Sequence, residues 1–300
     1  MSYYHPFDSG EKTAARAISA RTDGRRNPGD LRARRPKPPR HLAQANVRVM
    51  PRHESRSPRL YVDAGLAPRA EVALDAAQAN YLRNVLRLRA GQPVLVFNGR
   101  DGEWRASLAD AGRRAVSLAV ADQTRAQTAV FDLHYLFAPL KHARLDYMMQ
   151  KAVEMGVSRL QPVRMQHAQA ARINLERMRA NAIEAAEQCG ILTLPEIAEP
   201  LSFDRMLATR AGGRLLVFCD EDAEVRDPVA ALRAAHAPGS EPPPLAVLIG
   251  PEGGFADPER AALLRAPDVV RLALGPRVLR ADTAAVAALA LVQAVLGDWR

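Results

Sequence analysis

Two short glycine-containing stretches near the C-terminal end of the chain carry the residue types best suited to chemistry. Residues 250–255 read GPEGGF and follow the apolar run LAVLI, so that one carboxylate, Glu252, stands among three glycines. Residues 274–284 read LGPRVLRADTA and place Arg280 after a second Gly-Pro pair. Glycines let a ligand approach the main chain closely, and a guanidinium offers a planar fork of donors to oxygen atoms. The two stretches therefore predict a pocket that reads a flat polar ligand mainly through main-chain groups.

Several familiar sites are excluded by spacing. GPEGGF lacks the GxGxxG order of dinucleotide-binding loops, and no Gly-Lys-Ser or Gly-Lys-Thr follows it as in a P-loop. The two cysteines, Cys189 and Cys219, are far apart, and the seven histidines form no HExxH pair, so we expect no metal site. Free cysteines fit a reducing compartment, and we expect a cytoplasmic protein. The most apolar run, residues 284–297, is too short to span a bilayer of about 30 Å and predicts a buried helix instead.

Positive charge is concentrated at the N-terminus. Residues 1–59 hold 14 Lys and Arg against 5 Asp and Glu, a net charge of +9, which equals that of the whole chain. The high isoelectric point therefore does not by itself indicate that the folded part binds nucleic acid. Residues 1–57 are rich in Arg, Pro and Gly and are expected to be disordered. They are either a basic arm for RNA phosphates or a dispensable extension ahead of a start at Met50.

The glycine stretches must be positioned by the elements around them. Residues 126–300 alternate short apolar runs with helical patterns, which is typical of an α/β layer with a parallel sheet. The expected strands are 131–136, 158–163, 215–218, 245–249 and 269–273, and the expected helices are 143–155, 175–189, 258–264 and 283–296. Both glycine stretches then follow successive strands, and we expect them to form adjacent loops at the edge where open α/β sheets bind ligands. Asp257 and Glu259 are expected to cap and begin the following helix.

Residues 58–125 have a different pattern, which predicts a small β-rich domain. Asn-Gly and Asp-Gly between apolar runs indicate a hairpin turn at 98–102. The expected strands are 60–62, 93–97, 103–108 and 113–120, and the expected helix is 75–86. Arg83, Arg87 and Arg89 would lie on the polar side of that helix.

Taken together, the motifs closely resemble the RsmE family, the SPOUT-class methyltransferases that make 3-methyluridine in small-subunit ribosomal RNA. The second stretch is similar to the family's LG-P-R-I-L-R-x-E-T-A, with Val278 for Ile and Asp282 for Glu. Further similar segments are KAVEMGV at 151–157, EAAEQC at 184–189 and YLRNVLRL at 81–88. The resemblance covers residues 58–300 in order. One departure is Gly190-Ile191, where the family usually carries an Arg.

This resemblance implies a fold, a cofactor and partners. The fold would be a trefoil-knotted SPOUT domain with a parallel sheet at 126–300, preceded by a PUA-like RNA-binding β-barrel at 58–125. The partners would be S-adenosylmethionine, 16S ribosomal RNA in the small subunit and a second copy of the chain, with neither membrane nor metal. RNA contacts are expected from Arg59, Arg83, Arg87 and Arg89. Cofactor contacts are expected from Leu248, Ile249, Gly250, Pro251, Glu252, Gly253, Gly254, Leu272, Leu274, Gly275, Val278, Leu279 and Thr283.

The implied reaction sets the expected roles of two side chains. Uracil N3 carries a proton, so its methylation needs a base or cations that stabilise the anion. Arg280 is expected to contact the uracil oxygens or a phosphate; the alternative is a helix-flanking arginine in solvent. Glu252 is either that base or, in the favoured interpretation, an acceptor that fixes the loop. Two other functions stay open: ribose 2′-O methylation by a SPOUT enzyme, and RNA binding without catalysis.

Overall fold

The computed structural model describes residues 57–109, 116–168, 172–224, 227–236 and 241–299. The expectation of disorder at 1–57 lies outside these residues apart from Ser57, and so does the start of the strand expected at 113–120. Within the described ranges, the longest apolar helices fall short of what a membrane crossing requires.

The first sheet is formed by five strands in the N-terminal half of the described chain. They are β1 (Arg59–Tyr61), β2 (Glu71–Ala73), β3 (Pro93–Phe97), β4 (Glu103–Ala109) and β5 (Ser117–Arg125). Their order is β1-β3-β4-β5-β2, and every pairing except that of β1 with β3 is antiparallel. No pairing joins β1 to β2 among the described residues, so hydrogen bonds do not close the expected barrel. Alternating side chains such as Val94 and Val96 form its aliphatic core.

The helix expected at 75–86 is only partly α-helical. Asp75 caps α1 (Ala76–Asn80), because its carboxylate accepts a hydrogen bond from the Gln78 N–H at 2.7 Å. The Gln78 side-chain oxygen accepts from the Asp75 N–H at 3.1 Å, which completes a capping box. From Tyr81–Val85 the chain widens into a π-helical turn. Widening changes the angular spacing of side chains, so Leu82 is buried while Val85 is exposed.

The second sheet contains seven strands, and its pairings are all parallel. The strands are β6 (Leu133–Phe137), β7 (Arg159–Arg164), β8 (Glu196–Ile197), β9 (Leu201–Ser202), β10 (Leu215–Cys219), β11 (Leu245–Ile249) and β12 (Val269–Leu272). The helices are α2 (His142–Glu154), α3 (Leu175–Cys189), α4 (Phe203–Thr209), α5 (Pro228–Ala234), α6 (Asp257–Arg265) and α7 (Ala281–Val295). The predicted alternation is confirmed, and the short elements β8, β9, α4 and α5 are additions to it.

The strand order corrects one expectation about the site. The sheet runs β12-β10-β11-β6-β7-β8, with β9 pairing β7. Strand β10 pairs with β11 on one side and with β12 on the other. Its residue Leu216, for example, is in register with Ala246 of β11 and with Val269 of β12. The two glycine-containing loops therefore do not follow neighbouring strands, and the loop after β10 separates them.

Two helix starts position these loops. Helix α6 has Ala256 rather than Asp257 at its N-cap, and the Glu259 carboxylate accepts from the Ala256 N–H at 3.1 Å. Helix α7 begins at Ala281, two residues before the predicted start, with Arg280 at its N-cap. The buried Gln293 of α7 donates to the Met155 carbonyl at 2.7 Å, which anchors α7 beside the end of α2.

Candidate functional site

Three loops meet at the carboxyl edge of the parallel sheet and enclose two adjacent cavities. The loops follow β10, β11 and β12, and the cavities have volumes of about 510 Å³ and about 320 Å³. The residues that line both cavities are Cys219, Glu221, Val278, Leu279 and Ala284. The two glycine stretches thus contribute to one site, although β10 separates the strands that carry them.

Most residues expected to bind the cofactor line these cavities. Those that do are Ile249, Gly250, Pro251, Glu252, Gly254, Leu274, Gly275, Val278 and Leu279. Leu248 and Leu272 do not, because both side chains are buried in the apolar core. Thr283 is exposed and lines neither cavity, whereas Ala284 lines both.

Gly253 also lies outside the cavity walls. A Cβ atom built on Gly253 would approach the Cβ of His167 at 3.3 Å rather than point into a cavity. Gly250 and Gly254 have stricter requirements. A Cβ on Gly250 would come within 2.9 Å of the Phe255 ring, and Gly254 has a φ of 70°. The loop therefore needs glycine at these two positions for close packing and for a left-handed backbone.

The loop after β10 was not predicted as part of the site. Asp220, whose side chain is 1% exposed, accepts from the Nε of Arg260 and the Nε of Arg271, each at 2.9 Å. Burial alone would raise the pKa of Asp220, but these hydrogen bonds hold it below its ordinary value. This ion cluster ties the β10 loop to α6 and β12. A sequence pattern does not show which strands flank β10, so the cluster was missed.

Two other groups of the β10 loop face the cavities. Burial, and secondarily the nearby Asp220, raise the pKa of the Cys219 thiol to about 12, which keeps it protonated and unsuited to nucleophilic catalysis. Glu221 lines both cavities, and its carboxylate oxygen would lie 3.0 Å from a Cβ on Gly254. Glu221 is thus the exposed carboxylate shared by the two cavities, while Glu224 lines only the larger one and Glu252 only the smaller one.

The two expected catalytic residues lie at the rim of the smaller cavity. Glu252 forms an ion pair with Arg144, and both side chains are about 40% exposed. Arg280 is 66% exposed, and its Nη2 is 3.5 Å from the carboxylate of Asp282. The Arg280 fork thus points largely into open space, whereas Glu252 already has a cationic partner.

The four arginines expected to bind RNA are not brought together. The side chain of Arg59 is only 7% exposed, and its guanidinium donates to the Glu103 carboxylate at 2.8 Å. It also donates hydrogen bonds to main-chain carbonyls at the end of α3. This side chain is an internal tie between the two sheets and not a surface group. Arg83 lies in the π-helical turn, and Arg87 and Arg89 follow it along the chain, with a φ of 56° at Arg87.

Two other polar groups take structural roles. Lys151 and Glu154, three residues apart on α2, pair with each other at 2.7 Å. The Glu187 carboxylate accepts from the Tyr61 N–H at 2.8 Å, and burial raises its pKa.

His167 is the second feature that the sequence did not predict. It lies in the segment after β7, and its Nδ1 is 3.1 Å from the Gly253 carbonyl oxygen. No spacing rule links residues 86 positions apart, so only the parallel order of strands brings this imidazole beside the glycine-rich loop.

Comparison with known proteins agrees with the two-sheet division of the chain. Residues 127–293 match the family described as RNA methyltransferase domain, and residues 74–120 match the RNA methyltransferase PUA domain. Relatives include the Ribosomal RNA small subunit methyltransferase E of Synechocystis, 32% identical over 76% of this chain and 74% of the relative. The protein of the same name from Rickettsia conorii is 27% identical over 78% of this chain and 94% of the relative.

Solved structures give the same result. A methyltransferase of Legionella pneumophila, solved with bound S-adenosylmethionine, has a TM-score of 0.69 and 28% identity, and the match covers 80% of this chain and 98% of that one. The Ribosomal RNA small subunit methyltransferase E of Neisseria gonorrhoeae, also with S-adenosylmethionine, has a TM-score of 0.68 over 81% and 100% of the chains. At 23% identity the latter likeness establishes the fold alone.

Proposed function

Because the chain belongs to the RsmE family of SPOUT-class ribosomal RNA methyltransferases, we propose that it methylates N3 of a uridine in 16S ribosomal RNA, with S-adenosylmethionine as the methyl donor. The observation that carries this proposal is the meeting of three strand-end loops around two adjacent cavities that share lining residues. These loops contain the motifs by which the family is recognised.

The cavities fit S-adenosylmethionine in size and in chemistry. No main-chain N–H of residues 274–280 donates to another described group, so these donors are free for the edge of an adenine ring. Glu221 offers a carboxylate to a ligand that carries positive charge. The cofactor supplies a methyl group already activated on a cationic sulfur. The protein therefore has to bind, orient and deprotonate rather than activate a leaving group.

Arg280 is proposed to contact the target base or its phosphate. Its position at the start of α7 places it beside the smaller cavity, and its exposed planar fork matches two uracil oxygens or a phosphate. Glu252 is proposed to fix the loop through Arg144. Its carboxylate is already engaged by that guanidinium.

The first sheet is proposed to hold the RNA. Arg83, Arg87 and Arg89 supply positive charge around the π-helical turn, and the exposed Val85 supplies an apolar surface between them. We further propose that the protein acts in the cytoplasm as a homodimer. Exposed apolar side chains near α2 and the chain end, Tyr147 and Trp299, are consistent with a partner surface.

Nucleoside analysis of the product tests this function. Purified protein is incubated with S-adenosylmethionine and small ribosomal subunits that lack the modification, and the RNA is digested and separated by chromatography. We expect 3-methyluridine. A ribose-methylated nucleoside would instead identify a SPOUT enzyme of other specificity, and RNA binding with no calorimetric response to S-adenosylmethionine would identify an assembly factor.

A further inference from the structure

His167 is held in one tautomer by the glycine-rich loop. Its Nδ1 lies 3.1 Å from the carbonyl oxygen of Gly253 and 3.3 Å from that of Gly254. Carbonyl oxygens only accept hydrogen bonds, so Nδ1 must carry the ring proton. The neutral imidazole then has its lone pair on Nε2, which is the form a general base requires.

The segment that carries His167 is fixed to the same loop at a second point. The Gln166 N–H donates to the buried Glu259 carboxylate at 2.9 Å, and the same carboxylate accepts from the Ala256 N–H. Gly253 is also packed against the histidine, since a Cβ there would meet the His167 Cβ at 3.3 Å. The imidazole is therefore fixed against Gly253 and Gly254; Gly254 lines the smaller cavity, and His167 lies next to that wall without lining the cavity itself.

The other candidate groups at this edge are less suited to take a proton. Glu252 is paired with Arg144, and the Cys219 thiol stays protonated. Glu221 faces the cavities proposed for the cationic cofactor. By contrast, His167 is exposed, and its Nε2 has no hydrogen-bond partner within the part of the chain that the structure describes.

We propose that Nε2 of His167 is the general base that removes the N3 proton of the target uracil, an inference that rests on the function proposed above. As the proton moves to Nε2, the electron pair of the N–H bond stays on N3. N3 then bonds to the methyl carbon, and the electrons of the carbon–sulfur bond remain on sulfur, which leaves as a neutral thioether. The imidazolium returns its proton to water. Arg280 stabilises the negative charge on the uracil oxygens in between.

Two variants separate a base from a loop anchor. His167→Asn keeps an N–H donor near the place of Nδ1 but removes the base, whereas His167→Ala removes both. In single-turnover assays with unmethylated small subunits, we expect His167→Asn to form 3-methyluridine about 10²–10⁴ times more slowly, as for the loss of a general base. Added imidazole should restore part of the rate of His167→Ala. Gln166→Ala is the matched control, because Gln166 binds Glu259 through its main chain, and its rate should stay within about two-fold of wild type.

Two readouts do not depend on turnover. By calorimetry, we expect His167→Asn to bind S-adenosylmethionine with the affinity of wild type. In the wild-type protein, ¹⁵N NMR should show His167 protonated on Nδ1 and unprotonated on Nε2. The proposal would be overturned if His167→Asn reacted at the wild-type rate, or if a loss of cofactor affinity accounted for its slow rate. Protonation of His167 on Nε2 would overturn it as well. A wild-type enzyme that binds the cofactor but forms no 3-methyluridine would instead remove the proposed function, and this inference with it.

Discussion

Arg59 and Glu103 form a hydrogen-bonded ion pair of 2.8 Å whose side chains are 7% and 0% exposed. Arg125 bonds the same carboxylate at 2.7 Å, and its guanidinium also reaches the Gly190 carbonyl at 2.8 Å. Both arginines thus join the first sheet to main-chain carbonyls at the end of α3, where the negative end of the helix dipole favours cations. Burial alone would raise the pKa of Glu103, but the two guanidiniums hold it below its ordinary value. The cluster fixes the proposed RNA-binding sheet on the proposed catalytic domain.

Removing the central carboxylate of this cluster should destabilise the protein strongly. Glu103→Ala leaves two buried guanidiniums without their anion, and we expect the free energy of unfolding to fall by about 3–5 kcal/mol. Asp122→Ala is the control, because Asp122 pairs with Arg105 at 2.9 Å on the exposed surface of the same sheet. Its effect should be about 1 kcal/mol or less. Urea unfolding measures both, and similar losses in the two variants would contradict a special role for the buried cluster.

His134 should make stability depend on pH between about 6.5 and 4. Burial and the nearby Arg214 lower its pKa from 6.5 to about 4, although Asp132 opposes the shift. As the pH falls, the unfolded chain therefore takes up this proton before the folded one does, and stability is lost. The urea midpoint of wild type should fall further between pH 7 and pH 5 than that of His134→Gln. Equal decreases in both proteins would show that His134 does not contribute.

A single methyl group at Gly250 should disturb the cofactor site. In Gly250→Ala the new Cβ would lie 2.9 Å from the Phe255 ring, which packs edge-on against Phe218 at 5.6 Å. The loop has to shift, and we expect affinity for S-adenosylmethionine to fall at least about ten-fold, which corresponds to about 1.4 kcal/mol. Gly212→Ala is the control, since nothing lies within 4 Å of a Cβ there. Calorimetry that finds the two variants equal would place the cofactor elsewhere.

Arg280 should affect the methylation step more than cofactor binding. Arg280→Ala removes the exposed fork beside the smaller cavity, so we expect kcat to fall about 10²-fold or more while calorimetric affinity for S-adenosylmethionine is retained. Arg280→Lys should recover little of the kcat that is lost in Arg280→Ala, because an ammonium group lacks the planar, two-pronged geometry of a guanidinium. An alanine variant with wild-type kcat would show that Arg280 is only a helix-flanking side chain in solvent.

Most of the strands of the second sheet and both glycine-containing loops could be predicted from the sequence. Those features depend on local patterns: apolar runs mark buried strands, and Gly-Pro marks where they end. Leu245–Ile249 and Leu175–Cys189 have the predicted bounds.

What the sequence could not supply was the spatial order of the strands. The position of β10 between β11 and β12 brings Asp220 and Glu221 into the site, and the end of β7 brings His167 to the glycine loop. The burial of Arg59 has the same origin, because its carbonyl partners lie more than 120 residues away, in α3 and just after it. Long-range packing decides these contacts, and charge alone does not distinguish a buried arginine from an RNA-binding one.

The most direct test of the proposed function is the nucleoside content of small-subunit RNA from cells that lack this protein. We predict that 3-methyluridine disappears from the 16S RNA and returns when the wild-type chain is supplied, but not when Arg280→Ala is supplied at an equal level. Unchanged 3-methyluridine in the deleted cells would contradict the account.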